Sequence, residues 1–154
     1  MLLPKKIIII LVAVIVVVTL AYLYYNNSVS NLRTARAEIN GAFFEADVAD
    51  NYLTRKKGLS GRLNLAPDQA MLFIFDKKDY YSFWMKEMEF PIDIIWIDDQ
   101  TVVGIEKNIQ PPAAGRLFVY RPEQKVNLVL EIGAGLSDQR NIKIGDLVDI
   151  SYSD

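Results

Sequence analysis

The chain has 154 residues and neither histidine nor cysteine, which excludes Ser-His-Asp and Cys-His hydrolysis, imidazole or thiolate zinc sites, and disulfide support. Its 17 Lys or Arg against 19 Asp or Glu give a formal net charge of −2, no electrostatic footprint for nucleic acid, so no nucleic-acid partner is expected. The glycines form neither a P-loop nor a dinucleotide fingerprint, and no cofactor or metal is expected.

Lys5 and Lys6 precede IIIILVAVIVVVTLAYLYY, an uncharged run from Ile7 to Tyr25. As a helix it would reach roughly 28 Å, about the thickness of a bilayer core. Tyr22, Tyr24 and Tyr25 crowd its far end, where amphipathic rings favour the headgroup layer, and the two lysines favour an inside N-terminus. The expected organisation is a cytoplasmic segment 1–6, a transmembrane anchor 7–25, a polar linker 26–36 and an exported domain 37–154, so a single-pass protein of the cell membrane with its domain outside. A cleaved signal peptide begins in the same way, but it carries a shorter apolar core and small residues before the cut, whereas TLAYLYYNN offers tyrosines.

The exported domain opens with Asn40-Gly41, the pair that a two-residue hairpin turn requires, between strands near Arg36–Ile39 and Ala42–Ala49. Asp50 and Asn51 are good N-caps for a short helix ending before Gly58, with Arg55, Lys56 and Lys57 near its C-terminal end. That basic run is either a solvated helix face or a surface for acidic headgroups. MLFIF (Met71–Phe75) predicts a strand buried on both faces, followed by strands over Ser82–Lys86, Ile92–Asp98 and Val102–Glu106. Asn108–Gln124, with three prolines and a glycine, predicts a long surface loop. A strand over Val126–Ile132, a helical turn near Ser137–Asn141 and a last strand over Leu147–Tyr152 complete the chain. Many short strands with little helix predict an all-β domain, a compact sandwich or partly closed barrel. Its expected core holds Leu59, Met71, Phe73, Phe83, Met85, Ile94, Trp96, Leu128, Leu130 and Val148.

Four blocks in order, RKKGLSGR at Arg55–Arg62, AMLFIF at Ala70–Phe75, SFWMK with PIDIIWID across Ser82–Asp98, and VLEIGAG with IKIGD across Val129–Asp146, resemble the domain of unknown function 192 family. The resemblance spans about Ile39 to Ile150. It implies a compact β domain, often exported or tethered, and lends no established activity. Where the family usually carries asparagine and threonine after the lysine of SFWMK, this chain has Glu87 and Met88.

The remaining chemistry is that of carboxylates, lysine, arginine, hydroxyls and aromatic rings. Strand alternation over Ser82–Lys86 puts Phe83 and Met85 on the core face and Trp84 with Lys86 on the other. Asp93 and Glu131 sit within the most apolar segments, where an isolated charge is costly and must find donors: Lys86, Arg62 or backbone amides. Arg62, Trp84, Lys86, Asp93 and Glu131 are therefore expected to share one pocket, the polar groups satisfying one another. Three functions compete. A binding module would take a small polar ligand (a sugar, wall fragment or peptide terminus) against Trp84. An accessory domain would contact a protein partner through the Asn108–Gln124 loop, with Phe118, Tyr120, Arg116 and Arg121 as interface residue types. A hydrolase would use Asp93 and Glu131 as a carboxyl pair, which needs a separation of roughly 5–9.5 Å.

Overall fold

A computed structural model describes residues 4–30, 32–113, 116 and 118–152. It divides into two compact units, Met1–Leu32 and Arg33–Asp154. The first holds helix α1 (Lys5–Ser30), whose stretch Lys5–Tyr25 is long and apolar enough to cross a membrane, as a signal sequence near the N-terminus also would be.

The second unit begins with strands β1 (Thr34–Ile39) and β2 (Ala42–Ala49), joined by the expected hairpin, with Asn40 and Gly41 at φ 52° and 78°. Both values are positive, as a hairpin turn of this length demands. Helix α2 (Tyr52–Lys57) starts at Asn51, whose side-chain oxygen accepts from the Leu53 and Thr54 amides while Thr54 Oγ1 accepts from the Asn51 amide. This reciprocal box satisfies donors that the first helical turn leaves free. The helix stops at Gly58 (φ 48°), where a Cβ would also meet Phe73 Cζ at 3.3 Å. Glycine answers both demands.

Next come β3 (Gln69–Asp79), β4 (Phe83–Trp84), β5 (Ile92–Asp98), β6 (Thr101–Ile109), β7 (Val119–Tyr120), β8 (Val126–Gly133), a short α3 (Leu136–Gln139) and β9 (Val148–Tyr152). Seven strands form one sheet in the order β6-β5-β8-β3-β2-β1-β9, and β4 pairs with β7 in a separate ribbon. Strands β2 and β3 run parallel, so the segment between them must cross over one face of the sheet, and it carries α2.

The two edges of the sheet meet at an isolated bridge between Thr101 and Leu147, reinforced by the Val102 amide donating to Asp146 O at 2.9 Å and the Val148 amide to Gln100 O at 2.8 Å. No full ladder joins β6 to β9, so the sheet curls on itself without closing. Of the two expected architectures this is the partly closed barrel. The concave face packs Ala37, Ile39, Phe44, Leu72, Ile95, Ile97, Leu130 and Ile132 into a core. Their alternates Met71, Phe73, Ile94, Trp96 and Val129 are buried on the opposite face under Leu59, Phe83, Met85 and Met88. Phe83 binds this second layer, its ring edge-on to Phe73 at 4.8 Å and to Trp96 at 5.4 Å.

Two expectations need correction. The strand over Ser82–Lys86 shrinks to Phe83–Trp84, because Glu87 takes φ 58° and turns the chain. Phe83 and Met85 are nonetheless buried, while Trp84 is half exposed. The long surface loop expected over Asn108–Gln124 is not loop throughout: β6 extends to Ile109, and Val119–Tyr120 pairs with β4, Phe83 opposite Tyr120 and Trp84 opposite Val119. Residues 114, 115 and 117 of that segment lie outside the described residues.

Candidate functional site

Above the second layer lies a cleft of about 230 Å³. Tyr52 stands at the start of α2, and Arg55, Lys56 and Lys57 come from its last turn. Phe73 and Phe75 rise from β3, Glu131 comes from β8, and Tyr81, Ser82, Phe83 and Trp84 close the far wall. Local structure fixes these walls. The Phe75 and Tyr81 rings stack at 3.5 Å, and the Arg55 guanidinium lies 5.1 Å from the Phe75 centroid while donating to the carbonyls of Asp50 (2.6 Å) and Ile74 (2.8 Å). Tyr81 Oη donates to Lys77 O at 2.6 Å. Trp84 is 45% exposed, so its ring is free to meet a ligand.

Glu131 forms the polar part of this cleft. It lies in a row across the sheet, opposite Met71 on β3 and Ile94 on β5, and is 95% buried. No described residue hydrogen-bonds its carboxyl. Burial pushes its pKa from 4.5 up to about 8, against a smaller opposing pull from the Arg62 guanidinium. Near neutral pH it is therefore predominantly a carboxylic acid, able to donate one hydrogen bond and accept others.

Asp93 is its opposite. It pairs with Ile132 one register position from the Ile94–Glu131 pair, so pleat alternation sends the two carboxyls to opposite faces of the sheet. On the concave side Asp93 is fully buried and fully satisfied. The amides of Asn108 (2.7 Å) and Gly135 (3.1 Å) donate to Oδ1; the Ser137 amide (3.0 Å) and hydroxyl (2.7 Å) donate to Oδ2. It ties β5 to the end of β6 and the start of α3.

The expected cluster of five is thus divided. Trp84 and Glu131 line one cleft; Asp93 belongs to another layer. Lys86 is exposed, 3.6 Å from Glu87, and does not line the cleft. Arg62 pairs with Asp47 at 2.5 Å and reaches Glu131 only through its field. Backbone amides and Ser137, rather than Lys86 or Arg62, solve the burial of Asp93. Lying on opposite faces, Asp93 and Glu131 cannot flank one scissile bond, which removes the carboxyl-pair chemistry. Tyr52, Phe75, Tyr81 and the Arg55–Lys57 run are cleft residues that the sequence did not single out as such. Their signal was the parallel β2–β3 connection, which obliges α2 to cross the face carrying Phe73 and Phe75.

A family model matches residues 35–150: the chain belongs to the DUF192 family, described as an uncharacterized ACR. Two crystal structures share the fold. A protein of unknown function from Novosphingobium aromaticivorans DSM 12444 has a TM-score of 0.73 at 29% identity, covering 79% of this chain and 88% of its own. A "putative transcription regulator" from Sinorhizobium meliloti 1021 has a TM-score of 0.71 at 26% identity, covering 77% of this chain and 95% of its own. No curated protein matches.

Proposed function

We propose that this protein is a membrane-tethered, extracytoplasmic binding domain that takes a small polar ligand in the Glu131 cleft. The observation that carries the reading is the contrast between its two buried carboxyls. Asp93 receives four hydrogen bonds, as a structural carboxylate should, whereas Glu131 receives none from the described residues and faces an open, aromatic-walled cleft. A carboxyl at the wall of an open cleft, with hydrogen-bonding capacity that no described residue uses, is well placed for a partner that arrives from outside. Trp84 supplies a stacking wall that the core does not need. The exposed Phe118 and Val119 beside it support the rival protein-contact reading, for which the same tryptophan would serve as an anchor. The regulator label belongs to the S. meliloti protein; in this chain, 15 Lys or Arg against 19 Asp or Glu after Tyr25 give no support for DNA contact.

A thermal-shift screen of glycans, peptides and small metabolites tests the reading, because a ligand that binds only the folded state raises the melting temperature. Trp84→Ala should lower the affinity of a hit by about ten-fold or more while changing the unliganded melting temperature little, since the ring is half exposed. A variant that melts far earlier yet binds equally well would return Trp84 to the core. The tether has its own measurement. The two N-terminal lysines and the uncharged helix support retention of the span with the domain outside, so protease added to intact spheroplasts should digest the domain, and the mature chain should keep residues 5–25. A mature N-terminus between Tyr22 and Ser30 would make it a secreted protein.

A further inference from the structure

The charge of the cleft limits what enters it. Three cations, Arg55, Lys56 and Lys57, line it against the single carboxyl of Glu131. Arg55 is already held by two backbone carbonyls. Lys56 has its Nζ 5.8 Å from the Tyr52 centroid, and among the described residues neither Lys56 nor Lys57 has a carboxylate within ion-pair distance. Two lysines without a carboxylate partner and the hydrogen-bonding carboxyl of Glu131 line the same cleft, together with aromatic side chains that fit a flat or ring-shaped body.

Resting on the pocket reading above, we propose that the ligand is a small ring-bearing anion, its charge held by Lys56 and Lys57 and an uncharged acceptor on its ring meeting the Glu131 carboxyl. A cation of the same size would meet the like charges of Arg55, Lys56 and Lys57 at the same cleft, and would be repelled. The cleft volume of about 230 Å³ restricts the body to one or two rings. The donor that Glu131 offers exists only while it is protonated, so affinity should decline as pH rises past about 8. The charged and titratable groups around it are Arg62 with its partner Asp47, Arg55, Lys56, Lys57, Tyr52 and Tyr81. With Arg62 neutralised by Asp47, the α2 lysines are the cations left to meet an anion.

The test uses the full chain in neutral detergent and four probes: phenyl phosphate, benzyl alcohol, benzylamine and methyl glucoside, titrated by calorimetry. Phenyl phosphate should bind about ten-fold tighter than benzyl alcohol, with benzylamine weakest. The Lys56→Ala/Lys57→Ala double variant should narrow that preference to less than about two-fold. For a companion probe, 4-acetylphenyl phosphate, whose ring carbonyl supplies the acceptor that phenyl phosphate lacks, Glu131→Met should lower affinity about ten-fold while leaving phenyl phosphate nearly unchanged, and Glu131→Gln should abolish its decline above about pH 8. Benzylamine binding as tightly as phenyl phosphate, or a charge preference that survives the double variant, overturns the anion. Neutral probes that bind without charge preference, and are lost in Trp84→Ala, overturn the ligand class while leaving the pocket reading intact. No saturable binding by any of the four overturns both.

Discussion

Asp93→Ala should unfold this domain more readily than any truncation of a surface charge, costing about 3–5 kcal/mol. The side chain is fully buried, and its loss strands three backbone amides, those of Asn108, Gly135 and Ser137, together with the Ser137 hydroxyl. The two Ser137 donors are buried and the Asn108 and Gly135 amides partly so, and all four hold the junction of β5, β6 and α3 through this one carboxyl. Against a typical stability of about 5–15 kcal/mol the loss is large. Denaturant unfolding of the full chain in detergent, followed by tryptophan fluorescence, should show the midpoint fall with the slope nearly unchanged. Ser137→Ala should cost less, about 1 kcal/mol from the hydroxyl, because the Ser137 amide still reaches Oδ2. A nearly neutral Asp93→Ala would mean that water or neighbouring groups replace the carboxylate, and the distinction drawn between Asp93 and Glu131 would lose its footing.

The same pair of residues shows how far the sequence could be read. That Asp93 and Glu131 each had to find an answer to burial followed from composition alone, since each stands among apolar neighbours. Which answer each found depended on register. In the β5–β8 ladder Asp93 faces Ile132 while Glu131 faces Ile94, and that single step places one on each side of the sheet. Nothing local announces it, because β5 is buried on both faces and its apolar run lacks the alternation that would mark an inside and an outside. The hairpin at Asn40-Gly41 and the α2 cap at Asn51 were legible because turns and caps are decided by a few adjacent residues. The β4–β7 ribbon was not, since its two strands are two residues each and meet only through the fold. Likewise the expected core named Phe73, Phe83 and Trp96 but left out most of the concave layer, Ala37, Phe44, Leu72 and Ile95 among them. Those residues look ordinary one by one, and only curling the sheet makes them a core. Glu87, where the family resemblance suggested asparagine, occupies a left-handed backbone position that asparagine tolerates more easily.

Glu131 should make the domain lose stability as pH rises from about 5 to about 8, the reverse of what a salt-bridged carboxylate does. Its carboxyl titrates near 8 in the folded protein, against 4.5 when unfolded, because burial penalises the anion more than Arg62 favours it. Between those two values the folded state keeps a proton that the unfolded state has released. Stability therefore falls with pH across that window. The contribution is intact below about pH 4.5 and gone above about pH 8. Each pH unit is worth about 1.4 kcal/mol, so the full window corresponds to something on the order of 4–5 kcal/mol. Denaturant midpoints of the wild-type chain should fall across this range, and those of Glu131→Gln should stay nearly level, the two curves diverging most at the alkaline end. Removing the Arg62 charge by Arg62→Gln should extend the decline to higher pH with its onset unchanged, since it deletes the one named influence that favours the anion in the folded state. A bound ring-bearing anion should shift the decline in the same direction, because it engages the protonated carboxyl and so holds the proton more tightly. A wild-type profile as level as that of Glu131→Gln would show that the carboxyl is solvated in the folded state, and with it would go the reason for treating the cleft as a site.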